Sequence, residues 1–141
     1  MFTNTRDLTI EWGHCDPAGI VFYPRYFEMF DASTAALFAA ATGMTKREMV
    51  ARHDAVGFPM VDTRAMFHAP SAYGDRVRIE TTITALRRSS FDVEHRILKG
   101  EALAVEGFET RVWVGRDPAD PARIKARPIP DEVVARLTAG Q

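Results

Sequence analysis

One acid stands out for where it is placed. Asp16 sits in a Pro/Gly turn, DPAG, and seven residues later Tyr23 and Pro24 open an amphipathic stretch. The first N–H groups of a helix lack intrahelical partners, and together with the macrodipole they favour negative charge. A carbonyl oxygen that gains charge during a reaction can rest there. A carboxylate is already an anion at neutral pH, so it can attack the carbonyl carbon or activate the attacking water without a partner to deprotonate it. Acyl-bond cleavage, of a thioester for example, needs those two parts. The competing reading is purely conformational, because Asp, Pro and Gly at the first, second and fourth positions also suit a plain type I turn.

Other reactive side chains are weaker candidates. Cys15 follows His14 directly, and adjacent residues of an extended stretch point to opposite faces, so a thiol–imidazole pair is disfavoured. With one cysteine and no CxxC or Cys/His ligand spacing, neither a disulfide nor a structural zinc is expected. In RRSSF, Arg87 and Arg88 end a strand beside Ser89 and Ser90, a grouping whose guanidinium forks and hydroxyls can hold phosphate. The alternative for this pair is a solvated surface. Asp31 is a candidate for the site or for a subunit contact, and His53 and His68 read as ordinary packing or surface residues.

The elements that must carry these groups are legible in part. The spacing of Phe27, Phe30, Thr34, Leu37, Phe38 and Ala41 predicts a helix over 24–42, with Pro24 in its first turn and Gly43 as its stop. Its second half is rich in alanine, so another element can approach its backbone closely. Thr45 and Glu48 form a possible capping box for a short helix over 46–53. DLTIEW reads as a first strand with Leu8, Ile10 and Trp12 on one face. Period-two patterns in RVRIETTITAL, FDVEHRIL and ALAVEGFETRVWVG give three more strands, the last two joined at LKGE. Gly107 marks a bulge or a close backbone approach. The segment 117–141 reads as a surface loop, DPADPARIKARPIP, followed by a short helix, PDEVVARL. One long helix with antiparallel strands predicts a single α+β domain over residues 1–141, the helix laid across one sheet face.

Composition narrows the partners. With 141 residues, 46% of them hydrophobic, the chain is long enough to bury a core of its own. Eighteen basic and nineteen acidic residues give a formal charge of −1, so no overall field draws it to nucleic acid or to anionic lipid. No stretch approaches the roughly 18 apolar residues of a membrane span, and MFTNTRDLTIEW lacks the basic-then-apolar pattern of a signal peptide. A cytoplasmic protein is the expectation.

Taken together, DPAGIVFYPRYF, the FDAS of the long helix, YGDRVRIET and RRSSF resemble the 4-hydroxybenzoyl-CoA thioesterase family of the hot-dog fold, over residues from about 8 to 115. The resemblance implies a sheet wrapped around one long helix and hydrolysis of an aromatic acyl-CoA to the acid and CoA. It implies that Asp16 acts as nucleophile or general base, and that the Tyr23 backbone N–H polarises the carbonyl. Arg87, Arg88, Ser89 and Ser90 would bind the nucleotide end of CoA. Gly19 is a candidate second amide donor, and Phe22 a wall of a flat pocket with Tyr23, Tyr26, Phe27 and Phe58. No cofactor or metal is implied. A site shared between subunits is, which makes a homo-oligomer, a dimer of dimers, the expected state. His14 stands where related proteins often carry a second acid. An aliphatic acyl-CoA thioesterase and a non-catalytic CoA-ester binding module are the alternatives.

Overall fold

The computed structural model describes residues 1–139, so the last two positions of the expected domain, 140 and 141, lie outside the described residues. In chain order the elements are β1 (Thr3–Thr9), α1 (Pro24–Thr42), α2 (Lys46–Arg52), β2 (Met60–Phe67), β3 (Arg76–Leu86), β4 (Ser90–Lys99), β5 (Ala102–Val112), β6 (Val114–Asp117), β7 (Asp120–Ala126) and α3 (Asp131–Thr138). β1 to β5 form one antiparallel sheet in the order β1-β3-β4-β5-β2, and β6 and β7 form a separate hairpin.

α1 lies across one face of the sheet and is bounded as its punctuation dictates. Pro24 occupies the first turn, and Gly43 adopts a left-handed φ of 71° that ends the helix with its N–H on Ala39 O. The buried stripe is broader than the spacing predicts, because Tyr26, Met29 and Ser33 are enclosed along with Phe30, Thr34, Leu37, Phe38 and Ala41. Inward-facing residues alternate along the strands: Val77, Ile79, Thr81 and Ile83 on β3; Phe91, Val93, His95 and Ile97 on β4; Val105, Gly107, Glu109 and Arg111 on β5.

The core beneath α1 falls into two apolar clusters. One gathers Tyr26, Met29 and Phe30 with Val77, Ile79, Ile97 and Val105 at the helix start. The other gathers Leu37, Phe38 and Ala41 with Phe58, Ile83, Phe91, Val93, Trp113 and, from α3, Val133 and Leu137. Between them runs a band of buried polar side chains: Ser33, Thr34, Thr81, His95, Glu109 and Arg111.

Two expectations are corrected and one strand is added. β1 spans Thr3–Thr9 rather than 7–12. Glu11 and His14 cap each other across a 3-10 turn at Trp12–His14, which ends the strand and leaves Trp12 78% exposed while Ile10 stays buried. The segment after 117 is not a plain surface loop, since Asp120–Ala126 pairs with β6, and Pro121 falls within the register shift where its missing N–H breaks no ladder bond. The added strand is β2, Met60–Phe67. It lies at the sheet edge with almost every residue exposed, so it lacks a one-sided apolar pattern. Gly107 is a close approach, as expected: a Cβ there would run into the Phe30 ring.

Candidate active site

Asp16 stands in a small hairpin that leads into α1. Its N–H donates to Ile20 O at 3.0 Å, Gly19 N–H closes the turn on Asp16 O at 2.9 Å, and Ala18 N–H donates to Asp16 Oδ1 at 2.8 Å. Gly19 holds φ at 82°, a conformation that suits glycine. Cys15 bridges Val21, and Phe22 N–H reaches His14 O at 2.8 Å. On its other side this strip is pinned to Ser71 and Ala72, through Val21 N–H on Ser71 O and an Ile20–Ala72 bridge. Asp16 is half-buried, and its second carboxylate oxygen has no protein partner among the described residues. It lies opposite Ile20, with Tyr23 three residues further along, roughly 10 Å of extended chain.

The helix start offers a single open donor. Pro24 has no N–H, Arg25 N–H turns back to Phe22 O at 2.8 Å, and Tyr26 N–H to Tyr23 O at 3.1 Å. Among the described residues the Tyr23 amide donates to no protein acceptor, and it stands at the positive end of a helix of 19 residues. Next to it opens a cleft of about 340 Å³ lined by Ile20, Val21, Tyr23, Tyr26, Phe67 and residues 68–70. The walls are mostly apolar, with Tyr23, Tyr26 and Phe67 as their aromatic part; Tyr23 is edge-on to Phe67 at 6.3 Å and to Phe22 at 5.7 Å, while Phe22 and Phe27 lie outside the lining. Burial raises the Tyr26 phenol above its ordinary value, although hydrogen bonding to Ser71 partly offsets this. Asp16 stands at the neighbouring turn, outside the walls of this cleft.

The remaining expected site residues fall in different places. Gly19 spends its N–H on the turn, so it is not an open donor here. Phe22 is exposed beside Tyr23. Arg87 to Ser90 form the β3–β4 turn, at the opposite end of the sheet from Asp16, separated by the length of β3, roughly 30 Å. In that turn Arg87 is held by Asp92 and by Ser90 Oγ, which lowers the Asp92 carboxyl. Arg88 is exposed and makes no ion pair among the described residues, and the carbonyls of Arg88 and Ser89 are taken by Ile129 and Trp113. Phe58 is buried beneath Phe38 and Phe91 and does not line the cleft. His14 and Cys15 do not pair; both engage Glu11. Among the described residues no group of three His, Cys, Asp or Glu side chains converges to hold a metal. Nor is any helix among them long and apolar enough to cross a membrane.

The family model for the thioesterase-like superfamily matches residues 10–137. The chain belongs to that superfamily. It is 33% identical over 135 residues to the 4-hydroxybenzoyl-CoA thioesterase of Pseudomonas sp. strain CBS-3, covering 92% of this chain and 94% of the relative. A crystal structure of an aspartate-to-asparagine variant of 4-hydroxybenzoyl-CoA thioesterase, in complex with 4-hydroxybenzoyl-CoA, superposes with a TM-score of 0.89 at 30% identity. It covers 98% of this chain and all of that one. A 1,4-dihydroxy-2-naphthoyl-CoA hydrolase of Synechococcus elongatus is 33% identical over 89 residues, 62% of this chain and 64% of that protein. The fold is the hot-dog fold, and by this kinship the thioesterase-like chain is a thioester hydrolase.

One part of this thioesterase escaped the sequence reading. Glu109 and Arg111 face the core, 3% exposed each, with Arg111 Nε 2.9 Å from Glu109 Oε1 and Nη2 2.9 Å from Asp31 Oδ1. His95, fully buried, stacks on Phe30 and places Nε2 3.2 Å from Glu109 Oε2. Burial pushes the Glu109 carboxyl up, but hydrogen bonds from His95 and Arg111 outweigh it and bring it down to about 2. The signal was present in the sequence, because Glu109 and Arg111 share the parity of Val105 and Gly107.

Proposed function

We propose that this thioesterase hydrolyses an aromatic acyl-CoA, such as 4-hydroxybenzoyl-CoA, to the free acid and CoA. The observation that carries the reading is the unpaired amide at the start of α1, at Tyr23, beside an apolar cleft with three aromatic side chains in its walls and one hairpin away from the open oxygen of Asp16. The thioester oxygen accepts from the Tyr23 N–H and gains charge in the transition state. Asp16 either attacks the carbonyl carbon, giving a mixed anhydride that water then opens, or takes the proton of an attacking water. In both routes the C–S bond breaks, CoA leaves as the thiolate and takes up a proton, and the acid keeps the new oxygen. The names of the relatives, which act on hydroxybenzoyl and dihydroxynaphthoyl esters, favour an aromatic acyl group.

The same proposal includes a homo-oligomer, a dimer of dimers. On one chain Arg88 and its turn stand at the far end of the sheet from Asp16, so a CoA ester held by both ends needs a second chain to bring its Arg87–Ser90 turn to this helix start. The exposed edge strand β2, with Val61 60% and Phe67 50% exposed, leaves a sheet edge open for such a chain.

The test is steady-state hydrolysis of aromatic and aliphatic CoA esters by the wild type and by Asp16→Asn. The expected result is turnover of aroyl-CoA that falls by about 10²–10⁴ in kcat in the variant. Binding without cleavage by the wild type, preference for hexanoyl over benzoyl esters, or full activity of Asp16→Asn would each overturn a stated part of this reading: catalysis, substrate class or the role of Asp16.

A further inference from the structure

The buried polar band under α1 adds directional contacts to the apolar clusters beside it. Apolar contact is non-directional and resists a shift of the helix along its axis through shape alone, as where the Phe30 ring meets Gly107. Hydrogen bonds to a buried ion do not tolerate that shift. Here three side chains within one turn of α1, Asp31, Ser33 and Thr34, are gripped from the sheet. Thr34 Oγ1 donates to Glu109 Oε1 at 2.7 Å. Arg111 Nη2 donates to Asp31 Oδ1 at 2.9 Å. Arg6 Nη1, from β1 on the other side, donates to Ser33 Oγ at 2.8 Å.

The sheet side of the grip is itself locked. Glu109 receives both Arg111 and His95, and Arg111 Nη1 also reaches Phe58 O at 3.3 Å. Thr81 Oγ1 holds His95 Nδ1 at 2.9 Å, while Phe30 covers the imidazole at 4.6 Å between ring centroids. Thr81, His95, Glu109, Arg111 and Thr34 thus each have a partner inside the core, and the series ends at Asp31, whose side chain is 68% exposed.

We propose that this band positions the reaction: Thr34, clamped to Glu109, sets the axial register of α1 and thereby the place of the Tyr23 amide. This rests on the thioester-hydrolysis reading above. Thr34 lies roughly 16 Å along the helix from Tyr23. A helix transmits an axial displacement almost unchanged over that distance, and Pro24 leaves the amide of Tyr23 as the one donor that must meet the thioester oxygen. A slip of a single residue, about 1.5 Å, would break all three grips and carry that donor out of hydrogen-bond range. Thr34, Glu109 and Arg111 touch no substrate in this scheme, and they act through the position of the amide.

The test pairs Thr34→Val, which keeps shape and removes the hydroxyl, with Thr34→Ser, which restores it. Kinetics are measured in the wild-type background. In the Asp16→Asn background, the absorbance of bound 4-hydroxybenzoyl-CoA reports carbonyl polarisation as a red shift. Thr34→Val is expected to lower kcat about 10–100-fold with KM changed less than about threefold, the size expected when a reacting group is misplaced by about 1 Å. It should also shrink the red shift, and Thr34→Ser should recover both. A raised KM with unchanged kcat, or a red shift and kcat that both survive Thr34→Val, would overturn the positioning role alone. Absence of any turnover by the wild type would instead overturn the proposed function. If Thr34→Val does not fold, Arg6→Met releases Ser33 at the half-buried rim and is read in the same way.

Discussion

Gly107 offers the most direct check on how tightly the helix meets the sheet. It lies on β5 opposite His95, and a Cβ added there would stand 2.7 Å from Phe30 Cζ and 2.8 Å from Cδ2, and closer still to Cε2. The ring has nowhere to retreat. It is 1% exposed, stacked on His95 at an interplanar angle of 14°, and met edge-on by Phe27 at 6.2 Å. Gly107→Ala is therefore an overpacking change, worth about 1–3 kcal/mol of lost stability. For a chain of this length that is a fall of about 3–10 °C in Tm. Phe30→Leu opens room, and alone it costs about 2 kcal/mol through the space it leaves. In the double variant the new methyl occupies part of that space, so the two losses should fall short of their sum by at least about 1 kcal/mol. Thermal and urea melts followed by circular dichroism, at one fixed protomer concentration, measure all four proteins. A neutral Gly107→Ala, or losses that add to within about 0.5 kcal/mol, would refute the close contact as the reason for glycine here.

Two further outcomes follow from the site and the band. Tyr23 has φ −53°, which proline adopts without strain, so Tyr23→Pro should keep the fold, delete the open N–H and lower kcat by about 10²–10³, whereas Tyr23→Phe keeps the amide and most of the activity; equal kcat for the two would remove the amide from the mechanism. The Glu109 carboxyl falls from 4.5 to about 2 on folding, so its ionised form contributes stability that is complete above pH 4.5 and lost as the pH drops towards 2, roughly 3 kcal/mol in all. Melts across that window should show a shallower acid-side decline for Glu109→Gln than for the wild type, and an unaltered slope would show that the pairing with His95 and Arg111 does not set it.

What could be read from the chain follows the range of the forces involved. α1 was legible because Pro24 and Gly43 mark its ends locally and its buried stripe repeats every three to four residues. β3, β4 and β5 were legible because one face of each is buried. β2 was not, since an edge strand with both faces open leaves no period in its residues. The alternation of DLTIEW extended one strand too far, because the reciprocal cap between Glu11 and His14 lies in side-chain geometry that a hydrophobic pattern does not register. Prolines 118 and 121 masked the β6–β7 hairpin, as edge prolines will. At the candidate site, Asp16 and Tyr23 stand out through local turn and helix-start chemistry, and their proposed roles through the family resemblance. The far placement of Arg87–Ser90 is a tertiary fact, set by the length of β3. The pairing of Glu109 with His95 joins two strands, so only the parity of Glu109 hinted at it.

The helix start with its solitary donor has a consequence for how such an enzyme can change. A single hydrogen bond can hold an oxygen, but it leaves the rest of the acyl group free to swing about that bond. Orientation must then come from the walls of the cleft, from side chains such as those of Ile20, Phe67 and Tyr26. On the proposed mechanism selectivity and rate therefore rest on different atoms, the first on replaceable side chains and the second on a main-chain group that exchanges at Ile20, Phe67 or Tyr26 leave in place. On that proposal a lineage, or an engineer, can exchange one acyl group for another by reshaping the cleft while the hydrogen bond from Tyr23 stays where it is.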